Sequence, residues 1–139
     1  MGKVIVTARI ENIVEAYAAE EGKIDPKDVH LVDVSDALVD TGATGLSMPK
    51  SLLKRLGLKF LRNRHARTTA GSIEVRVFGT VRLTVQGRDC PCDVTEVSDE
   101  CPVLIGQIPL EAMDFVVDPS GQRLIGNPAH GGEHIIELY

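Results

Sequence analysis

The sequence predicts a mostly β fold, built as a single domain over residues 1–139 with one or two short helices. The length of 139 residues fits one domain, since most domains contain about 100–150 residues. Only 4% of the residues are aromatic and none is Trp, so the core must consist mainly of Val, Leu and Ile, and the β-branched residues among them favour strands. In residues 73–85 the odd positions are apolar except Gly79, and Glu74, Arg76 and Arg82 occupy even positions. This two-residue period is typical of paired strands, with a bend at Gly79.

Other segments with strand-like apolar patterns are separated by turn residues. In the first of them, apolar residues alternate with other residues except at Ile5. The segments are residues 4–10, 29–34, 37–39, 92–97 and 103–105, followed by a hairpin of residues 115–117 with residues 123–125.

Two short helices are predicted between these strands. Pro49 suits the first turn of one helix and Gly57 suits its C-terminal cap. The second helix covers residues 110–113. The segment that begins at Asn12 is ambiguous: Asn12 and Glu15 have the spacing of a capping box, yet the segment is short enough to be a loop or a hairpin arm.

The charge and hydropathy patterns exclude several classes of partner. A net charge of −5 argues against nucleic acid or an anionic membrane surface as the main partner. A basic stretch at residues 59–67 includes Arg62, Arg64, His65 and Arg67, and we interpret it as a solvated strand or loop edge rather than a polyanion site. No apolar run approaches the roughly 18 residues that a membrane span needs, and residues 1–4 do not resemble the start of a signal peptide. We therefore expect a cytoplasmic protein with no membrane and no nucleic-acid partner.

The Cys and His residues do not have the spacing of a metal site. Only one residue separates Cys90 from Cys92, whereas structural zinc sites usually have two to four residues between paired Cys ligands. Cys101 makes an odd third Cys, which does not suggest a disulfide framework. His130 and His134 lie in a Gly-rich tail. We interpret the Cys residues as buried thiols and the tail histidines as solvated, and expect no metal and no cofactor. Phosphate-binding glycine loops and a nucleophile-elbow Ser are also missing from the sequence.

The segment most suggestive of chemistry is Asp40-Thr41-Gly42, followed by Ala43 and Thr44. Alone, Asp-Thr-Gly could be an Asx-type turn in which Asp bonds its own backbone and Gly allows the bend. Here, however, it ends an apolar run, so the carboxylate should be held at the edge of the core. Small residues after it leave room beside the carboxylate. Further along the chain, a second apolar run ends at Gly106 and is followed by a predicted helix.

Together these segments resemble the retropepsin family, the single-domain aspartic peptidases of retroviruses and their prokaryotic relatives. The resemblance is strongest over residues 29–118. It implies a closed β-barrel that forms half of an acid protease, completed as a two-fold homodimer. It also implies that Asp40 is the catalytic acid and that Thr41 contacts the partner's loop, while Gly42 allows the bend.

The same resemblance assigns roles to residues around this loop. Ala43, Thr44 and Leu104 would border the substrate cleft. Leu104, with Ile105 and Gly106, would also pack beneath the loop and hold it rigid. A flap that closes over substrate is implied at Thr69, Ala70, Gly71 and Ser72, a tip less rich in Gly than the viral flaps.

Peptide hydrolysis by this chemistry needs two carboxylates that share one proton, one side activating water and the other protonating the substrate. The chain contains a single Asp-Thr-Gly, so the second carboxylate must come from a symmetric copy. We therefore predict an aspartic endopeptidase that cleaves extended polypeptides with apolar side chains beside the cut. The main alternative is a dimer of the same fold that binds peptides or protein partners without cutting them. A carboxylate-pair glycosidase would need a second marked acid in each cleft.

Overall fold

The computed structural model describes residues 3–138, which form one small, mostly β domain, and this prediction is confirmed. The described residues contain three α-helices rather than the predicted one or two: α1 (Ile13–Glu20), α2 (Lys50–Leu53) and α3 (Gln107–Ala112). The strands are β1 (Val4–Asn12), β2 (Leu31–Val39), β3 (Leu46–Pro49), β4 (Lys59–Thr68), β5 (Gly71–Val85), β6 (Arg88–Val97), β7 (Leu104–Ile105), β8 (Phe115–Asp118) and β9 (Arg123–Gly126).

Seven strands form one sheet in the order β1-β2-β7-β3-β6-β5-β4. Because β1 also pairs with β5, the pairings of six strands run in a closed circuit, and β4 lies outside this circuit at an edge. The β2–β7 and β3–β6 pairs are parallel, while the remaining pairs in the sheet are antiparallel. The predicted hairpin of β8 and β9 is confirmed and forms a separate two-stranded sheet.

Aliphatic side chains from all parts of the circuit fill the core, as the composition indicated. Burying one such side chain stabilises a fold by about 1.5–3 kcal/mol. In β1 the buried and exposed positions alternate strictly from residue 4 to residue 10, as predicted. The largest fully buried side chains include Ile10, Leu46, Met48, Leu56, Leu83, Ile105, Leu110 and Met113.

The two predicted runs at residues 29–34 and 37–39 join in one strand, β2, which begins at Leu31 because Val29 still ends the preceding 3-10 turn. The exposed polar residues Ser35 and Asp36 interrupt the sequence pattern. A register shift explains them: on β1 only one residue separates Val6 from Ala8, while on β2 two residues lie between the partners Val34 and Ala37. This is a β-bulge, which places an extra residue in a strand without ending it.

The ambiguous segment after Asn12 is the helix α1. The Asn12 side chain accepts a hydrogen bond from the Glu15 backbone at 3.2 Å, and it donates to the Leu56 carbonyl at 3.1 Å. Asn12 therefore caps α1 and ties it to the turn after α2. Glu15 does not complete the capping box, because its carboxylate accepts the backbone N–H of His30 at 2.8 Å instead.

The second predicted helix begins earlier than expected. The helix α3 covers Gln107–Ala112 rather than residues 110–113, and its Pro109 lies in the first turn, where Pro is tolerated. The first predicted helix is confirmed, although Pro49 is its N-cap residue at the end of β3 and not part of its first turn. The helix α2 is followed by a 3-10 turn, Lys54–Leu56, and Gly57 ends it in the left-handed conformation.

A two-stranded extension projects from the sheet. We name residues 59–76 the arm: it consists of β4, the turn residues Thr69 and Ala70, and the first six residues of β5. In the described chain, this part of β5 pairs only with β4, because pairing with β6 begins at Val77. The apolar face of β5 is accordingly buried from Val77 onward, while Ile73 near the tip is 49% exposed. At the predicted bend near Gly79, the register with β6 shifts.

Candidate active site

The Asp40 loop, residues 40–45, connects the end of β2 to the start of β3. Asp40 is half-buried, and its carboxylate Oδ1 accepts the backbone N–H of Gly42 at 2.8 Å. The Asp40 carbonyl accepts the backbone N–H of Ala43 at 3.1 Å. The loop is therefore a tight Asx turn, and this geometry fixes the orientation of the carboxylate at the edge of the core. The structure therefore contains the Asx turn that the motif alone suggested, and the same turn is compatible with a catalytic role for Asp40.

The segment 103–105 supports this loop from one side. β7 pairs with the end of β2 in parallel, with Leu104 beside Leu38. The backbone N–H of Asp40 donates to the Ile105 carbonyl at 3.0 Å, which extends this pairing into the loop. Ile105 is fully buried. The position of Asp40 therefore follows from the pairing of two apolar strands.

The start of α3 supports the same loop from its other end. Three successive backbone N–H groups donate to loop carbonyls: Gly106 to Gly45 at 2.9 Å, Gln107 to Ala43 at 2.8 Å, and Ile108 to Thr44 at 2.9 Å. The first N–H groups of a helix have no partner within the helix. Here they bind the loop, so that the loop and the helix satisfy each other's backbone groups.

Gly106 is required by this close contact. A Cβ atom at this position would lie 2.7 Å from the carbonyl oxygens of Ala43 and Gly45. Its backbone is extended, with φ −92° and ψ −172°, which any residue can adopt. The reason for Gly is therefore the space between the two backbones and not the backbone conformation.

The remaining predicted site residues lie at the surface of the single chain. Thr41, Gly42 and Thr44 are exposed, while Ala43 and Leu104 are half-buried. The predicted flap residues Thr69, Ala70, Gly71 and Ser72 are all exposed at the tip of the arm.

A two-residue turn forms the tip of the arm. The Thr68 hydroxyl donates to the Gly71 carbonyl at 2.8 Å and accepts the Ala70 backbone N–H at 3.2 Å. Gly71 has φ +117°, a conformation that favours glycine. The sequence therefore places a Gly where the turn requires one.

Two open surface pockets, of about 540 and 290 Å³, are both lined in part by Arg9, and no residue of the Asp40 loop lines either of them. Neither is lined by a residue that the sequence identified as functional. The loop residues Thr41, Gly42, Thr44 and Gly45 are exposed at the surface of the single chain.

One titratable pair was misjudged from the sequence. His130 is not solvated: its side chain is 14% exposed, and its Nδ1 lies 2.6 Å from Oδ2 of the buried Asp114. This contact lowers the pKa of Asp114 to about 2 and raises the pKa of His130. Asp114 also accepts the backbone N–H of Ile135 and the side chain of Asn127, each at 3.2 Å. The pair fastens the C-terminal tail to the domain, and only the fold brings its members together.

The prediction of buried thiols is confirmed for Cys90 and is wrong for Cys101, which lies in an exposed turn outside the strands. Cys90 is buried, Cys92 is half-buried and Cys101 is exposed. The neighbouring Cys90 and burial both raise the pKa of the Cys92 thiol. Within residues 3–138, no three His, Cys, Asp or Glu side chains are grouped so that they could hold a metal ion. In the same part of the chain, no helix has the length and apolar character needed to cross a membrane.

The domain is mostly β, and it holds an Asp-Thr-Gly loop between an apolar-apolar-Gly segment and the start of a helix. This is the architecture of a retropepsin-like acid protease. The sequence comparison agrees: the chain belongs to the aspartyl protease family, whose model matches residues 21–126. The match contains the Asp40 loop, the arm, β7 and α3. No curated protein sequence matches the chain. The tail that His130 fastens follows the matched region.

Proposed function

We propose that the protein is an aspartic endopeptidase whose active site forms from the Asp40 loops of two identical chains. The observation that carries this proposal is the loop itself, in which a half-buried carboxylate is fixed by Gly42 and supported by β7 and α3. A loop held this firmly can keep a carboxylate in place for chemistry. Membership of the aspartyl protease family supports the same activity.

The proposed chemistry uses only protein groups and water. Two carboxylates a few ångströms apart cannot both ionise easily, so one proton is shared between them. The ionised carboxylate takes a proton from water, which attacks the peptide carbonyl carbon, while the protonated carboxylate donates its proton to the carbonyl oxygen. The C–N bond of the resulting tetrahedral intermediate then breaks, and the leaving nitrogen takes the proton that came from water. No covalent intermediate with the protein forms. The Gly42 N–H, bound to Oδ1 of Asp40, would keep each carboxylate in the orientation that this exchange needs.

The dimer is proposed because one chain supplies one such loop. Thr41 and Gly42 are exposed in the single chain, which leaves them available to a second copy. On a two-fold axis the same patch meets itself, so each Thr41 would contact the partner's loop.

The proposed substrate is an extended polypeptide with apolar side chains beside the cut. Ala43, Thr44 and Leu104 are small or apolar and lie on or beside the loop. The exposed flap residues at the tip of the arm would offer backbone groups to an extended chain, which can pair with them in β fashion. Strong preference for charged residues on both sides of the cut would contradict this assignment.

The test compares the wild type with Asp40→Asn, using cleavage of a peptide library and sedimentation at pH 5 and pH 8. Two carboxylates about 4 Å apart repel by up to ~4 kcal/mol at an effective dielectric constant near 20. The wild-type dimer should therefore weaken from pH 5 to pH 8, where the shared proton is lost. The Asn variant cannot ionise, so it should not cut and should form the tighter dimer at pH 8. Asp36→Asn, at an exposed position of β2, is the matched control and should behave as wild type.

Three outcomes would contradict the proposal. They are cleavage by Asp40→Asn, full activity of a monomer, and crosslinks that place the two Asp40 residues far apart in every assembly. A dimer that binds peptides and never cuts them would instead identify a binding protein of the same fold.

A further inference from the structure

The arm carries a charge opposite to that of the rest of the chain. Five of the 15 Lys and Arg residues lie in residues 59–76, whereas only one of the 20 Asp and Glu residues does. The arm therefore has a net charge of +4, and the remainder of the chain has a net charge of −9. The acidic remainder of the surface repels an acidic ligand, so such a ligand is drawn to the arm.

The positive charges lie mostly on β4, the edge strand of the sheet. Eight of its ten residues are exposed, and Leu61 and Ala66 are the two half-buried ones. In the part of the chain that the structure describes, Arg62 alone among the β4 cations forms an ion pair, with Asp93 at 3.5 Å. Lys59, Arg64 and Arg67 are left available to a ligand.

The other edge of β4 has no strand beside it within residues 3–138. An edge strand presents backbone N–H and C=O groups that can pair with an added strand. Cationic side chains on such an edge discourage neutral or basic strands and favour an acidic one. The basic stretch that the sequence indicated to be a solvated edge thus combines two features of a binding surface, unpaired backbone groups and unmatched charge.

We infer that the edge of β4 is an exosite that binds an acidic, extended polypeptide segment by strand addition. This inference rests on the proposed function, since the segment would belong to a substrate protein that the active site cuts elsewhere. Arg64 lies opposite Val75 in the antiparallel pair, and Arg67 lies opposite Ser72, so the two cations project from opposite faces of the arm. An added strand with acidic residues on both faces would therefore meet a cation on each.

The binding test uses the Asp40→Asn protein, which should not cut the probe. The probe is a ten-residue peptide rich in Glu and Val, matched in length to β4, and its control has Gln in place of Glu. The Glu peptide should bind at least about tenfold more tightly, with an affinity that falls as salt is added. Replacing both Arg64→Gln and Arg67→Gln should weaken binding about three- to tenfold, as expected for the loss of two exposed ion pairs. The paired control Lys23→Gln with Lys27→Gln, at exposed sites outside the arm, should bind as the parent does.

A charge-reversed protein separates the arm's effect from general loss of stability. Arg64→Glu with Arg67→Glu should prefer a Lys version of the peptide to the Glu version, and circular dichroism checks that it is folded. Equal binding of the Gln peptide, or of an acidic peptide interrupted by Pro, would overturn strand addition to a basic edge. Stronger binding of single-stranded DNA than of the Glu peptide would overturn the choice of ligand.

The second measurement is the steady-state kinetics of peptide cleavage. In the active protein, adding the acidic segment to a short neutral substrate should lower KM about three- to tenfold and leave kcat unchanged. The Arg64→Gln, Arg67→Gln protein should lose this gain while cutting the short substrate as before. An unchanged KM would overturn the exosite and leave the peptidase proposal standing. Absence of all cleavage together with intact peptide binding by the arm would contradict the peptidase proposal instead.

Discussion

Replacing Gly106 by Ala should damage both the stability of the domain and the proposed activity, because this residue is where the Asp40 loop meets α3. The added Cβ would lie 2.7 Å from two loop carbonyl oxygens and 2.7 Å from the Thr44 carbonyl carbon. Contacts under 3.0 Å cannot remain, so one of the two backbones must move. The side chain cannot rotate away, since the position of a Cβ is fixed by the backbone.

The size of the effect follows from what such a movement breaks. Three backbone hydrogen bonds join residues 106–108 to the loop, at 2.8–2.9 Å. Each bond contributes about 0.5–1.5 kcal/mol, and overpacking in a filled site costs about 1–3 kcal/mol. Since the loop can relax in part, we expect a loss of about 2–5 kcal/mol in the free energy of unfolding. For a domain of this size the corresponding fall in Tm is roughly 6–20 °C.

Urea denaturation and thermal unfolding measure this loss, with peptide cleavage recorded on the same samples. Gly45→Ala is the matched control, because it lies in the same loop and a Cβ there would have nothing within 4 Å. It should change the free energy of unfolding by less than about 0.5 kcal/mol. If Gly106→Ala is as stable as Gly45→Ala and cuts peptides at the wild-type rate, the loop does not depend on its contact with α3.

Three further predictions concern other parts of the molecule. Asn12→Ala should lower the free energy of unfolding in urea by about 2–4 kcal/mol, because it removes the cap of α1 and leaves the Leu56 carbonyl without its donor; exposed Asn63→Ala should have little effect. The C-terminal tail should loosen as pH rises through the raised pKa of His130, since the stabilisation is complete only below the ordinary histidine value of about 6.5. It should also loosen as pH falls from about 4 toward 2, as Asp114 becomes protonated. Hydrogen exchange at the Ile135 amide, corrected for the intrinsic exchange rate at each pH, reports both changes, and His130→Gln should abolish the loosening that accompanies the rise in pH. A chelator should leave cleavage unchanged, because the proposed chemistry needs only the carboxylate pair; activity lost to a chelator and restored by zinc would contradict this.

The parts of the fold that the sequence predicted are those that local patterns determine. The alternation in β1 and β5, the helix between Pro49 and Gly57, and the hairpin of β8 and β9 all follow from side chains within a few positions of one another. The errors occurred where a distant partner decides the structure. Ser35 and Asp36 lie within β2 because β1 pairs on both sides of them through a bulge, and nothing near them in the sequence indicates that bulge.

The candidate site shows the same division. The identity of the Asp40 loop was predicted from its own residues and from the apolar run ending at Gly106. The hydrogen bonds from residues 106–108 to the loop were not predicted, since they depend on how a helix start is placed against a loop more than 60 positions away in the sequence. His130 and Asp114 were missed for a similar reason: a histidine in a Gly-rich tail gives no sign that the tail folds back on a buried carboxylate.

The loop's support within one chain affects how the proposed dimer would assemble. Because β7 and α3 fix the loop before any partner arrives, association would order few backbone groups at the site itself. The main unfavourable contribution there would be repulsion between the two carboxylates, which depends on pH. Dimer affinity should therefore respond more to pH than to conservative changes in the loop. A substitution that releases the loop, such as Gly106→Ala, adds an ordering cost to association, so we expect it to weaken the dimer at pH 5 and pH 8 alike, whereas Asp40→Asn acts chiefly at pH 8.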